Sequence, residues 1–381
     1  MGHSLITIGG LFLRLGFTAF GGPAAHIAML EEEVVSRRKW MSRQHFLDLM
    51  GATNLIPGPN STEMVMHTGL HHAGVPGMLV AGLSFILPAA GLTLLLAYFY
   101  VAYGSLPQVA PFLIGVQPAV LVIISGAIFK LGKKALKHRY YLLIGLAVMA
   151  ASLGGINEVL AILAGGFVGM LGIRAKEHYF SPSILFFPVL SLTEVEADKL
   201  WALFLSFLKI GAILFGSGYV LVAYLEGELV EKLGWLTQQQ LLDAIAAGQF
   251  TPGPVLTTAT FIGYQIGGWS GAALATLGIF LPSFCFVALL NPLIPKLRTS
   301  PWSAAFLDAV NISAVGIMLA VLMQMGYQSI FAPFDWKALV VLLATTSFFF
   351  GQKRFGSMAT VLLGIVLGYG LYLLEQAFFL N

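Results

Sequence analysis

The sequence predicts an all-α polytopic membrane protein made of two homologous repeats of inverted topology, with discontinuous, re-entrant helices. Three observations predict it. Charged residues are 10% of the chain and apolar residues 58%, against roughly 25% charged in ordinary soluble domains, so the solvent for this surface is lipid. Residues 12–62 return at 207–257, shifted by 195 positions without a gap, and nineteen of the fifty-one pairs are identical. Pro-Gly-Pro stands at matched positions inside apolar segments, where it must break a helix.

The duplication sets the domain plan. Phe12/Phe207, Gly16/Gly211, Phe20-Gly21/Phe215-Gly216, Glu31/Glu226, Trp40/Trp235, Asp48/Asp243 and Pro57-Gly58-Pro59/Pro252-Gly253-Pro254 keep register. One residue drops out afterwards, and the match resumes at Gly69/Gly263, Gly77/Gly271 and Leu87-Pro88/Leu281-Pro282. The expected organisation is a first repeat over 1–178, a cytoplasmic linker over 179–199 and a second, inverted repeat over 200–381. A duplicated half inside a chain with mean hydropathy of +0.87 marks the architecture of secondary transporters, whose site lies between pseudo-symmetric halves.

Apolar runs place spans near 78–102, 109–129, 200–222, 270–291 and 304–325, with shorter paired runs at 140–153/158–173 and 337–350/356–374. The segments 4–30, 45–70 and 239–265 are long enough to cross but are interrupted by Gly-Gly-Pro or Pro-Gly-Pro. Lys and Arg fix orientation, because they accumulate in cytoplasmic loops. The first half carries Arg37, Arg38, Lys39 and Arg43, then Lys130 to Arg139. In the second half those positions are acidic or bare, and basic residues appear instead at Lys296/Arg298 and Lys353/Arg354. The bias is swapped, and inversion is the simplest reading. Keeping loops 37–43 and 130–139 on one side requires a re-entrant segment between them, either the one broken at Pro57-Gly58-Pro59 or the first, broken at Gly21-Gly22-Pro23. With one re-entrant segment, each half has an odd number of crossings.

The breaks carry the chemistry. Asn54 to Thr62 and Gln249 to Thr257 each place a Pro-Gly-Pro before a new half-helix, with the second proline at a favourable first position. The following amides and the helix dipole then face the break, which makes an anion site. Asn54, Asn60, Ser61, Thr62, Gln249 and Thr257 add polar side chains. A ligand-free structural kink is the alternative, which repetition at matched positions disfavours. Gly21-Gly22-Pro23 and its counterpart Gly216-Ser217-Gly218 allow close backbone approach, either to a ligand or to another helix.

Arg14 and Lys209 occupy equivalent positions in apolar stretches. Arg14 lies about 15 Å into its helix at 1.5 Å per residue, near mid-bilayer. A cation there is costly unless it snorkels, and two matched cations point to an anionic substrate. Glu31, Glu63 and Glu226 are the candidate coupling groups. Glu63, His67 and His71 share one helix face at i, i+4 and i+8, read as a surface-facing stripe, with a proton relay and a divalent-metal site as the rival readings. Glu31/Glu226 and Asp48/Asp243 read as solvated ends or caps.

The single cysteine, Cys285, excludes disulfides, iron–sulfur clusters and cysteine–zinc sites. The N-terminus has no basic n-region, so no cleavable signal is expected. P-loop, Ser/His/Asp and redox motifs are absent from the sequence, so ATP-driven transport by this chain is not expected, and neither cofactor nor resident metal is called for. The formal charge of +3 follows topology and implies no nucleic-acid partner.

Phe12-Leu-Arg14-Leu-Gly16, Phe20-Gly21-Gly22-Pro23, Trp40 and Pro57-Gly58-Pro59, with their second-half counterparts, resemble the chromate ion transporter family in its long two-domain form. The likeness covers about residues 5–175 and 200–375. It implies an inner-membrane, multi-pass protein that exports chromate by proton antiport and confers chromate resistance, with sulfate handled by some relatives. Chromate or sulfate, protons and membrane lipid are the implied partners, for a monomer or a homodimer. Onto this chain the resemblance carries Arg14, Gly21, Gly22, Pro23, Asn54, Pro57, Gly58, Pro59, Gln249, Pro252, Gly253 and Pro254. Gly216-Ser217-Gly218 departs from the pattern in lacking the proline. The rival classes are a metal-cation carrier and a non-transporting membrane module, such as a scaffold or intramembrane enzyme.

Overall fold

The computed structural model describes residues 5–20, 22–53, 56–104, 110–174, 199–215, 220–290, 301–332, 334–351 and 357–379. Among them the chain is helical, with no strand beyond an isolated bridge between Phe331 and Phe334. Five helical segments are long and apolar enough to cross a membrane: Asn60–Tyr103, Pro111–Ala135, Val255–Leu289, Ala304–Ile330 and Ser357–Ala377. The chain is an all-α multi-pass membrane protein. Most of the proposed linker, 179–198, lies outside the described residues.

The first half runs α1 Leu5–Thr18, α2 Pro23–Glu31 continuing into a π-helical turn Glu32–Arg37, α3 Arg43–Thr53, α4 Asn60–Tyr103, α5 Val116–Ala135, α6 Arg139–Leu153 and α7 Glu158–Arg174. The second half repeats the order: α8 Lys199–Ile213, α9 Leu221–Leu225 with a π-helical turn Glu226–Lys232, α10 Gln238–Phe250, α11 Thr258–Leu290, α12 Pro301–Ile330, α13 Trp336–Gly351 and α14 Ser357–Phe379. Local sequence explains the boundaries. Pro23 opens α2 where its missing N–H costs nothing. Thr237 and Gln240 close a reciprocal capping box at the start of α10.

α4 and α11 are each two helices. Ala73-Gly74 and Gly267-Gly268 leave helical geometry, with Gly74 at φ 62° and Gly268 at φ 58°. Residues 60–72 (α4a) fold back on 75–103 (α4b), and a methyl group on Gly69 would strike the Gly77 carbonyl. Gly263 meets Gly271 in the same way between 258–266 (α11a) and 269–290 (α11b). Such backbone contact is how helices associate where lipid removes the hydrophobic drive.

The return ends beside the entry. His45, at the start of α3, stacks 4.7 Å from His71, and Trp40 lies 4.4 Å from His72. α3 and α4a therefore form a hairpin with Pro57-Gly58-Pro59 at its tip. The first segment doubles back too: Arg14 of α1 reaches Glu33 beyond α2 at 2.6 Å. In the second half Lys199 lies 5.7 Å over the Trp235 ring. The run 200–222, expected as one crossing, instead ends its helix at Ile213 and turns back. Both broken segments of each half are hairpins, so the odd crossing count used in the sequence argument does not apply.

Contacts along α4b relate the halves. Its first turns pack on α4a, at the open end of the first-half hairpins. Roughly 30 Å further on, at 1.5 Å per residue, Tyr98 meets Tyr264 and Trp269, and the Tyr100 hydroxyl donates to Asp243 at 2.7 Å. Those residues mark the open end of the second-half hairpins. The two sets approach α4b from opposite ends and meet tip to tip. The later helices also exchange partners: α5 packs on α13 and α14, and α12 on α6 and α7. Lys137 and Asp308 clamp that exchange at 2.6 Å.

Candidate functional site

A Pro-Gly-Pro triplet has one backbone N–H, that of its glycine. In both repeats this N–H crosses to the other. Gly58 donates to the Leu214 carbonyl at 2.7 Å and Gly253 to the Ala19 carbonyl at 2.9 Å. Ala19 and Leu214 are matched positions just past the ends of α1 and α8, where helix carbonyls lack intrahelical donors. Each break thus satisfies a helix end in the opposite repeat. Gly58 sits at φ 138° and Gly253 at φ 86°, conformations that exclude side-chain-bearing residues without strain.

A cavity of about 470 Å³ opens at the second of these junctions. Ala19, Phe20, Gly22 and His26 line it from the first repeat, and Gly248, Gln249, Thr251, Gly253 and Val255 from the second. Ser357, Met358, Ala359 and Leu362 at the start of α14 complete it. The Gln249 amide nitrogen has no hydrogen-bond partner among the described residues. Behind the wall, the Thr93 hydroxyl reaches Thr251 at 3.2 Å and Thr257 at 3.3 Å. His26 is buried, with Nε2 3.0 Å from the Ala19 carbonyl and Nδ1 3.3 Å from the Ser61 hydroxyl. The lining offers neutral donors and backbone dipoles, together with apolar walls.

The family described as Chromate transporter matches residues 6–170 and 201–369, covering both repeats. The chain belongs to the chromate transporter family. A probable chromate transport protein of Synechococcus elongatus is 30% identical over 86% of each chain. Chromate transport proteins of Pseudomonas aeruginosa and Cupriavidus metallidurans are each 31% identical, over 81% and 84% of this chain and 77% and 82% of their own. No solved structure matches it.

Within this chromate transporter family member, the cations expected at mid-membrane are paired. Arg14, its side chain 53% exposed, binds Glu33 at 2.6 Å, and that carboxylate also takes Arg37 and Arg38. Lys209 binds Glu228, the matched acid, at 2.7 Å. Neither cation lines the cavity. Both ion pairs join a first helix to the π-helical turn of its own repeat.

Pro57, Gly58 and Pro59 are buried, as are Pro252 and Pro254, whereas Asn60 is partly exposed. Ser61 is buried on His26, and Thr62 and Thr257 are buried beside the breaks. Gly22 lines the cavity and Pro23 opens α2. Gly21, Asn54, Gly216, Ser217 and Gly218 lie outside the described residues. Among the coupling candidates, Glu31 is half-exposed and bound to Arg43 at 3.2 Å. Glu226 is 4% exposed, beside Glu158 and Glu231.

Two expectations are corrected. Glu63 and His67 do not face the surface; both are buried in α4a against the rest of the bundle, and only His71 emerges, because the helix turns back two residues later. Glu226 and Asp243 are not solvated ends or caps; each is 4% exposed, Glu226 beside Glu158 and Glu231 and Asp243 bonded to Tyr100. Sequence reading also passed over His26, Thr93 and Ser283. Each breaks the internal symmetry, with Leu221, Val287 and Ala89 at the matched positions. Comparison of one repeat with the other would have found them.

Proposed function

We propose that this chain exports chromate across the inner membrane, driven by protons or by the membrane potential, and so confers chromate resistance. The cavity at the Gly253–Ala19 junction carries the reading. It is built by both repeats, is lined by neutral donors including the unpaired Gln249 amide, and reaches Gly253 and Val255 on either side of Pro254. A tetrahedral oxyanion accepts hydrogen bonds on every face and suits such a lining. Sulfate has the same shape and charge, and is the second reading on that ground. One chain supplies both walls, so a monomer holds the whole site.

In this reading residues 1–178 and 200–381 are the two repeats, oppositely oriented, with their tip-forming hairpins re-entrant from opposite faces. The approach of the hairpins to opposite ends of α4b supports it. Binding involves Gly21, Gly22, Pro23, Asn54 and the Pro57 to Thr62 break, and, in the second repeat, Gly216 to Gly218, Gln249, the Pro252 to Pro254 break and Thr257. Arg14 and Lys209 shape the approaches. Around Arg14 three guanidiniums share Glu33, whereas Lys209 is surrounded by Glu158, Glu228 and Glu231. With the basic approach cytoplasmic, an anion is gathered inside and repelled from re-entry outside.

Energetics favour this direction. Moving a dianion out of an inside-negative cell releases about 4.6 kcal/mol per 100 mV, a gradient of about three orders of magnitude. The test is uptake of labelled chromate and sulfate into everted vesicles, with and without a pH gradient. Uptake exceeding that of vesicles lacking the protein is expected; its absence for both anions rejects the proposal.

A further inference from the structure

Among the described residues, the two repeats differ at their tips in one respect: the buried groups that titrate belong to the first. His26, Glu63 and His67 are buried there. The matched positions are Leu221, Thr258 and the apolar pair Phe261-Ile262. Hydroxyls are buried at both tips, Ser61 and Thr62 in the first repeat and Thr251, Thr257 and Thr258 in the second.

Glu63 is the most isolated of these groups. It is 0% exposed, and neither carboxyl oxygen has a well-formed hydrogen bond among the described residues. Ser283 of α11b, also 0% exposed and also without such a bond, stands next to it. The carboxyl and the hydroxyl converge over Gly58, where a Cβ would collide with both. Ser283 is the polar side chain that faces Glu63 from α11; His67 lies one turn along its own helix, and His26 lies on α2 beyond Ser61. No Lys or Arg pairs with Glu63 among the described residues. A bare carboxylate is strongly disfavoured in such a place, whereas the neutral acid is not. One carboxyl and one hydroxyl also fall far short of the about six to eight oxygens of a calcium site.

We propose that Glu63 is where the transporter binds and releases a proton in each cycle, at a site separate from the anion cavity. The inference rests on the chromate reading above. The acid form fits the closed junction seen here. Loss of H⁺ to water leaves a carboxylate that must leave this pocket, and rebinding of H⁺ from the opposite side restores the acid. Two contacts carry that change to the anion. Gly58, against which Glu63 packs, holds Leu214, and Ser61 on the same half-helix touches His26. His26 lines the cavity and shares the Ala19 carbonyl with Gly253.

The experiment uses the purified full chain in proteoliposomes, with the membrane potential clamped by potassium and valinomycin. Chromate counterflow reports binding and passage without a driving force; chromate accumulation under an imposed pH gradient reports coupling. For one proton per anion the accumulation ratio should change about tenfold per pH unit in the wild type. Glu63→Gln, isosteric with the acid, should keep counterflow within about twofold of wild type and lose all dependence on the pH gradient. Ser283→Ala should retain both, since the acid remains. Coupling that persists in Glu63→Gln overturns the proposal. So does loss of counterflow in Glu63→Gln, which would place Glu63 on the anion path or in the packing, and so does accumulation that follows a sodium gradient rather than pH. Absence of chromate counterflow in the wild type would instead reject the chromate reading, and this proposal with it.

Discussion

The amide of Gly253 donates to the carbonyl of Ala19 at 2.9 Å, tying the broken tip of one repeat to the end of the other repeat's first helix. Gly58 and Leu214 make the matched bond at 2.7 Å. Each triplet gives its one donor to the opposite repeat, so neither break is complete without its partner. Secondary transporters of inverted-repeat design work by rocking one repeat against the other around a fixed site. Under the inverted-repeat architecture proposed for this chain, the pair of glycine bonds is the fixed point.

Substitution at the tips should therefore be severe. Gly58→Ala and Gly253→Ala both force a side chain into a left-handed conformation, and both meet neighbours: Glu63 and Ser283 in the first case, the Ala89 methyl at 2.9 Å in the second. Each should lose about 1–3 kcal/mol from backbone strain alone and show at least a tenfold fall in chromate flux. Gly268→Ala has comparable strain at φ 58° but open space around it, and should keep flux within a few-fold. Melting curves in detergent, paired with proteoliposome flux, distinguish strain from loss of the junction. Equal losses at Gly253 and Gly268 would mean that strain alone is being read.

Gln249→Leu removes the one unpaired amide donor identified in the cavity. A hydrogen bond to a charged partner is worth about 1.5–3 kcal/mol, so KM for chromate should rise about tenfold or more. Gln249→Glu should be worse, because a carboxylate repels the dianion. An unchanged KM in Gln249→Leu would move the anion elsewhere.

Much of this was legible in the sequence because duplication exposes itself. Pro-Gly-Pro and the matched glycines show the internal duplication, and the breaks follow from proline chemistry; the swapped basic loops motivate the proposed inversion. The hairpins were less legible. The apolar runs part at Ala73-Gly74 and Gly267-Gly268, ending near 70 and 265 and resuming near 78 and 270, but run length alone does not tell a half-helix that folds back from a full crossing. Arg14 and Lys209 look like free cations in sequence, since their partners Glu33 and Glu228 lie nineteen residues away across a turn that only the fold closes. His26 and Ser283 went unread for a different reason: each is a lone polar residue in an apolar stretch, marked in sequence only by its mismatch with Leu221 or Ala89 and explained only by contact with Ser61, Ala19 or Glu63.

The ion pairs allow a test of their own. Arg14→Gln should lower chromate efflux several-fold per inserted molecule, and Lys209→Gln should act more weakly, its site being surrounded by acids. If Arg14 acts through Glu33, the double variant Arg14→Gln/Glu33→Gln should be less impaired than the two single effects combined. Additive losses would show that the two side chains act independently.

Opposite orientation of the repeats predicts the labelling of two exposed positions. In a background lacking Cys285, cysteines replacing Lys134 and Gln328 should react with an impermeant maleimide from opposite sides of the membrane. Labelling of both from one side would contradict inversion.

The central claim is that a chromate dianion rests at the Gly253–Ala19 junction. Crystals of the transport-active protein soaked in chromate and measured at the chromium absorption edge test it most directly. The account predicts an anomalous peak inside the cavity, within hydrogen-bond reach of Gln249 and close to His26. A peak confined to the basic surface around Lys39 and Arg43, or none in the cavity at saturating chromate, would contradict it.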